Sequence, residues 1–243
     1  MNTFLNKYKL AIAILFIIAV QKLNANANTK NDLFNTVFKV DFLSMHTWRG
    51  FATSYSPTIE PSFEFTTNKS TTGIWLAHSI DGNYSELDLY FTHIWRNFSF
   101  TIYDYYCPQT YKESNEITNY YKSTTKHTIE LDVEFKGTPK FPITVLVATM
   151  IYGDDQNQET NKNIYSTYFQ LAYSKTIKKN NFNFALGFNA FESYYGSQFG
   201  IVNVGIDMIR NITVFKTKEI PLQSSLLANP LKNSLFLKFG FTL

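Results

Sequence analysis

A single cysteine, Cys107, stands in the 243-residue chain, so no intrachain disulfide can form. A small exported domain without that staple must be stabilised by a closed, well-paired sheet. Cys107 precedes Pro108 at the end of an apparent strand, and no neighbour in the sequence would activate its thiol. Long apolar runs are missing as well. Beyond the N-terminus no stretch approaches about 18 consecutive apolar residues, which excludes a helical membrane protein. The four histidines, His46, His78, His93 and His127, show no metal-ligand spacing. Asp154-Asp155-Gln156-Asn157 with Glu159 lacks the ordered spacing of a calcium loop. No phosphate-binding glycine loop occurs. His78 and Ser79 point to opposite faces of a strand, and Ser44 with His46 share a face in an unremarkable setting. The sequence therefore predicts no enzyme, no catalytic residue, no metal and no cofactor.

The N-terminus reads as an export signal. Lys7 and Lys9 form a basic start, Leu10–Val20 is an apolar core of the right length, and Ala25-Asn26-Ala27 is a cleavage site. The expected domains are a signal peptide over residues 1–27 and one β-barrel domain over residues 28–243. Removing residues 1–27 takes three of the 22 Lys plus Arg and none of the 19 acids, so 19 charges of each sign remain. The basic pI of 8.7 thus belongs to the export signal, and nucleic acid is not an implied partner.

What the chain does have is aromatic residues. Phe (23) and Tyr (16) dominate an aromatic share of 17%, yet the mean hydropathy is only −0.17. A transmembrane barrel needs that mixture, because each strand shows one face to lipid and the other to water. The pattern along the chain agrees. Phe182, Phe184, Leu186 and Phe188 alternate with Asn181, Asn183, Ala185, Gly187 and Asn189, and Ile129, Leu131, Val133 and Phe135 alternate with Glu130, Asp132, Glu134 and Lys136. The same reading predicts about twelve strands of a length suited to a tilted span, near 36–49, 57–66, 72–80, 84–95, 98–107, 126–136, 141–152, 164–177, 181–191, 200–211, 214–228 and 234–243. The even-numbered connections are short, and the long polar ones (108–125, 153–163 and 192–199) all fall on the odd side. An even-stranded barrel with periplasmic termini sorts its loops in this way.

The last strand alternates Leu235, Leu237, Phe239, Phe241 and Leu243, an ending that resembles the signal read by the outer-membrane assembly machinery. Membrane lipid and that machinery are the expected partners. Trp48, Trp75, Trp95, Tyr103, Tyr105, Tyr106, Tyr152, Tyr165, Tyr194 and Tyr195 fall near strand ends, where interfacial girdles sit.

The segment Met45-His46-Thr47-Trp48-Arg49-Gly50-Phe51 is followed by Ser56-Pro57, Glu60-Pro61-Ser62, Thr72-Gly73-Ile74-Trp75 and Tyr84-Ser85-Glu86-Leu87-Asp88-Leu89-Tyr90. This order resembles the TorF family of porin-like outer-membrane proteins over about residues 36–107, although Pro61-Ser62 stands where many members have a glycine-rich segment. The resemblance implies an outer-membrane barrel and, by the family's name, a channel; it carries no binding or catalytic residues.

The residues themselves predict a polar interior. Asp41, Glu64, Glu86, Asp88, Glu130, Asp132, Glu134 and Asp207 fall on the face opposite the apolar one, with Lys39, Arg49 and Lys136 against them. Arg49-Gly50 at a strand end suggests a guanidinium reaching interior acids beside a glycine that lets the chain turn. Two functions stay open. The acids line a narrow passive channel for small polar solutes, or they pair with bases inside a closed barrel that works through its long loops.

Overall fold

The computed structural model describes residues 34–108, 116–157, 159–214 and 217–243. The expected signal peptide lies outside the described residues. These fold into β-strands alone, with no helix among them. In chain order the strands are β1 (Phe34–Leu43), β2 (His46–Trp48), β3 (Phe51–Ser54), β4 (Thr58–Thr67), β5 (Ser70–Ser79), β6 (Ser85–Trp95) and β7 (Phe98–Tyr106). They continue with β8 (His127–Phe135), β9 (Thr144–Gly153), β10 (Thr167–Ile177), β11 (Asn180–Asn189), β12 (Gly200–Val214), β13 (Lys218–Asn229) and β14 (Ser234–Thr242).

Twelve of these close into one antiparallel barrel, with β1 paired to β14 at the seam and to β4 on its other side. β2 and β3 form a separate two-stranded hairpin. The even number of wall strands brings the start of β1 and the end of β14 to the same end of the barrel, as the loop pattern predicts. The connections at that end are short: residues 68–69, 96–97, 136–143, 178–179 and 215–217. The opposite end carries 44–57, 80–84, 107–126, 154–166, 190–199 and 230–233.

The apolar face of the wall strands points outward. Ile59, Phe63 and Phe65 on β4, Leu89 and Phe91 on β6, Phe100 and Ile102 on β7, and Leu235, Leu237 and Phe239 on β14 are all exposed. Leu237 leaves 54% of its surface uncovered, while Glu130 in the wall of β8 leaves none. This inverts the order of a soluble protein and is the surface a barrel needs against lipid. Closure carries the pairing around the whole wall, so the backbone groups of the paired stretches meet a neighbouring strand rather than an open edge or water.

Among the expected boundaries that shift, two bear on the fold. β12 runs on through Val214, so the chain is still in the wall over the expected turn at 210–213. The alternation there continues through Ile212 and Val214, and the Asn211-Ile212-Thr213 stretch that reads as a turn is paired with Pro221, Ile220 and Glu219 in that order. The first strand stops at Leu43 rather than running to residue 49. Where it stops, the Ser44 side chain replaces a backbone group: the Ser44 N–H donates to the Phe239 carbonyl (2.8 Å), and the Ser44 hydroxyl accepts from the Phe239 N–H (3.0 Å). With the hydroxyl in the place of its own carbonyl, the chain bends away from the wall.

The outward apolar face predicts a depth-dependent penalty for charge. Leu89→Arg, in the middle of β6, should cost about 2–4 kcal/mol in reversible unfolding from lipid vesicles, as for other mid-bilayer Arg substitutions. Thr92→Arg on the opposite face of the same strand should cost less; equal costs would count against the assignment of faces.

Candidate functional site

The bend at Ser44 sends β2 and β3 into the barrel. The tip of the hairpin is Arg49-Gly50, both with positive φ (47° and 83°), as in the two-residue turns whose twist suits a hairpin. A Cβ on Gly50 would lie 1.9 Å from the Val202 carbonyl oxygen of β12, so only glycine fits there. The hairpin touches strands around the whole wall. His46 meets Glu60 of β4 and Trp75 of β5, Trp48 meets Tyr105 of β7, and Arg49 meets Glu130 of β8 and Tyr168 of β10. A segment in contact with opposite sides of a closed wall lies inside it.

Arg49 fixes the hairpin. Its guanidinium donates two hydrogen bonds to the Glu130 carboxylate (2.6 and 2.8 Å), a fork geometry that lysine could not reproduce. It also donates to the Tyr195 hydroxyl (2.5 Å) and stands 3.6 Å from Asp132. The ring faces of Trp48 and Tyr168 lie 4.6 and 4.8 Å from the guanidinium carbon. The Tyr105 hydroxyl donates to the same Glu130 (2.8 Å), so the fully buried carboxylate is satisfied from both sides. The ring of Tyr168 reaches across Gly187 on β11, where any side chain would collide with it. An arginine at positive φ is strained, and these contacts hold it there.

The connection 190–199 closes over the hairpin from the loop-rich end. Tyr195 is fully buried, with its ring 5.7 Å from Trp48 and 6.2 Å from Phe51, and Tyr194 packs on the same two residues. Burial pushes the Tyr195 hydroxyl well above the ordinary tyrosine range, against the opposing pull of Arg49, so it stays a neutral acceptor for the guanidinium. His46 is held by Glu60 (2.8 Å), which also accepts from the Thr58 hydroxyl (2.6 Å).

The charged residues picked out in the sequence separate into two groups. Arg49, Glu130 and Asp132 meet directly, while Glu86 and Asp88 border the same interior cavity of about 230 Å³. Glu86 accepts from the hydroxyl of Tyr84 and from the Cys107 thiol (3.2 Å). The others lie apart from Arg49. Asp41 accepts from the Thr242 hydroxyl at the seam, Glu64 from the Tyr90 hydroxyl (3.0 Å), and Glu134 from the Ser99 hydroxyl (3.4 Å). Asp207 is half-buried opposite Asn183 and Ser225. Among the described residues, every buried ion pair involves Arg49 or a histidine.

The interfacial girdle is overturned for part of its set. Trp48, Trp75, Tyr103, Tyr105 and Tyr195 pack inside the barrel around the hairpin, while Tyr194 is exposed in the 190–199 connection and touches Trp48 and Phe51 from the loop-rich end. Trp95 and Tyr165 are exposed near strand ends and keep the girdle position. Proximity to a strand end in the sequence does not separate a ring facing headgroups from one facing the interior. Glu60, Tyr84 and Tyr168 were not singled out in the sequence; the even spacing of Thr58, Glu60 and Ser62 against exposed Ile59 and Phe63 is the signal that places Glu60 inside.

Above the hairpin a second cavity of about 400 Å³ faces the loop-rich end, bordered by Lys126, Asp154 and Tyr194 among others. Burial raises the pKa of Asp154 there, against the opposing charge of Lys126 4.0 Å away. Trp48, Glu86 and Tyr105 border both cavities and form their common wall.

No protein-family model matches this chain, and no curated protein is significantly similar to it. Fold and site together define a closed antiparallel β-barrel with an apolar outer surface and an inserted, ion-paired hairpin.

Replacing one partner of the Arg49–Glu130 pair strands the other in the interior. Glu130→Ala should therefore cost about 3–5 kcal/mol of unfolding free energy, whereas Arg49→Met with Glu130→Leu should cost less than the sum of the single changes. Additive costs in that double-mutant cycle would contradict the pairing.

Proposed function

We propose that this protein is an outer-membrane barrel that passes small polar solutes through a narrow path beside its hairpin. The observation that carries this reading is the pair of interior cavities that share Trp48, Glu86 and Tyr105 as a wall. One lies toward the loop mouth and the other lies deeper, and the side chains of these three residues border both. Rotation of these side chains would join the two spaces without moving the wall strands. The acids bordering both spaces would favour cations over anions, as charged rings do in other pores. The resemblance of residues 36–107 to the TorF family supports the same assignment. On this reading residues 1–27 are removed on export, the termini face the periplasm, and the outer-membrane assembly machinery inserts the chain.

A closed barrel working through its long loops is the second reading. The bidentate Arg49–Glu130 pair and the buried Tyr195 favour it, because both fix the hairpin across the interior.

Planar bilayers separate the two. The channel reading predicts small stepwise conductance in KCl from the unaltered protein. Arg49→Ala, which releases the hairpin tip, should raise the step size at least twofold. Silence from unaltered protein that is shown to be inserted would remove the channel reading and leave the closed barrel.

A further inference from the structure

We propose that the deeper cavity binds a small organic ammonium ion, with Asp88 as its counter-ion and the rings of Trp48, Trp75 and Tyr105 as its walls. The pairing register places Trp75, Asp88 and Tyr105 abreast on β5, β6 and β7, so all three project from the same face of the wall. The hairpin supplies the opposite side: His46 lies 5.3 Å from Trp75, and Trp48 lies 6.1 Å from Tyr105. The result is a carboxylate at the base of an aromatic enclosure.

Asp88 is the second, independent sign of a ligand. It is only 8% exposed, and its Oδ1 has no hydrogen-bond donor among the described residues. Asp132, bordering the same cavity, also leaves one oxygen without a donor. Burying a carboxylate oxygen without a partner is unfavourable unless something positive or hydrogen-bonding meets it. The protein's own cation does not. Arg49 spends both arms of its fork on Glu130 and reaches only the other oxygen of Asp132, at 3.6 Å. The donors to Glu86 are the neutral hydroxyl of Tyr84 and the neutral thiol of Cys107. One guanidinium therefore faces four carboxyl groups, those of Glu86, Asp88, Glu130 and Asp132, while His46, the other basic side chain at the cavity, is held by Glu60, so acidic groups outnumber basic ones.

The walls select the kind of cation. A hard divalent ion requires about six or more oxygen ligands, and no three of the described His, Cys, Asp and Glu residues are placed to hold a metal. Aromatic faces attract positive charge spread over alkyl groups, and they do so most strongly where water is excluded. The volume, about 230 Å³, exceeds that of several waters at roughly 30 Å³ each and suits an ion of a few heavy atoms. The proposal rests on the channel reading in one respect only, since it names the solute class that such a path would admit. Binding itself requires no conduction.

Titration calorimetry on the detergent-folded protein tests it with choline, with the uncharged isostere 3,3-dimethyl-1-butanol, and with KCl as competitor. Choline should bind saturably, the isostere should give no saturable heat, and potassium at matched concentration should not compete. Asp88→Asn, nearly identical in shape, should weaken choline at least tenfold, and Trp75→Leu should also weaken it. Glu64→Gln, on the same interior face beyond the cavity, should leave it unchanged. Absence of choline binding, equal binding of the isostere, full competition by potassium, or unchanged affinity in folded Asp88→Asn would each overturn the proposal. Choline binding by a protein silent in bilayers would remove the channel and keep the site; conductance without choline binding would do the reverse.

Discussion

Closure of the sheet is the constraint on which everything else in this molecule depends. A strand whose outer face is Phe, Leu and Ile can tolerate lipid only if its backbone N–H and C=O groups are already paired. In this chain the last link is the seam between β1 and β14. There Asp41, Phe42 and Leu43 lie opposite Thr242, Phe241 and Gly240, while β1 pairs along its whole length with β4. Reciprocal backbone bonds between Val40 and Leu243 (3.1 and 3.0 Å) extend the seam. The stacked rings of Phe42 and Phe241, 5.0 Å apart, cover it on the apolar side. With only Cys107 in the chain, no covalent cross-link within the chain can substitute for this junction.

A closed wall creates an interior, and the interior of a twelve-stranded barrel is too wide for wall side chains alone to fill. The chain fills the loop-rich half with its own hairpin. The bend at Ser44, the left-handed pair Arg49-Gly50 and the fully buried Glu130 are one device: the first turns the chain inward, the second reverses it, and the third anchors the tip. The polar half-faces of the strands make this possible, because they present acids and hydroxyls rather than apolar side chains to the incoming arginine. Spaces left beside the hairpin have walls rich in carboxyl groups and aromatic rings as a direct result.

Much of the wall was legible in the sequence. Period-two alternation from Phe182 to Phe188 or from Ile129 to Phe135 is a direct projection of an outward apolar face, and loop lengths sorted by parity because both ends of an antiparallel wall behave differently. The hairpin was not legible as a hairpin. Alternation continues from β1 through His46 and Trp48, since an extended segment inside the barrel has the same periodicity as one in its wall. Only the hydrogen bonds of Ser44, which are tertiary, distinguish the two. Arg49 was readable as a guanidinium aimed at acids, but its choice of Glu130 over Glu64 or Asp207 follows from which strands stand opposite the tip. The tyrosines near strand ends were ambiguous for a related reason: depth along the strand is encoded in the sequence position, whereas inward or outward direction depends on the register of each pair.

The most direct measurement of the closed barrel is a seam cross-link in the membrane-inserted protein. In a Cys107→Ser background, Phe42→Cys with Phe241→Cys should form a disulfide on mild oxidation, because paired Cα positions fall within disulfide reach. The control pair Leu222→Cys with Phe241→Cys probes the neighbouring β13–β14 ladder. Closure predicts that each of the two double-cysteine variants, prepared separately, cross-links in its folded population. A control that cross-links while the seam pair stays reduced would mean that the sheet is open, and the account would fail.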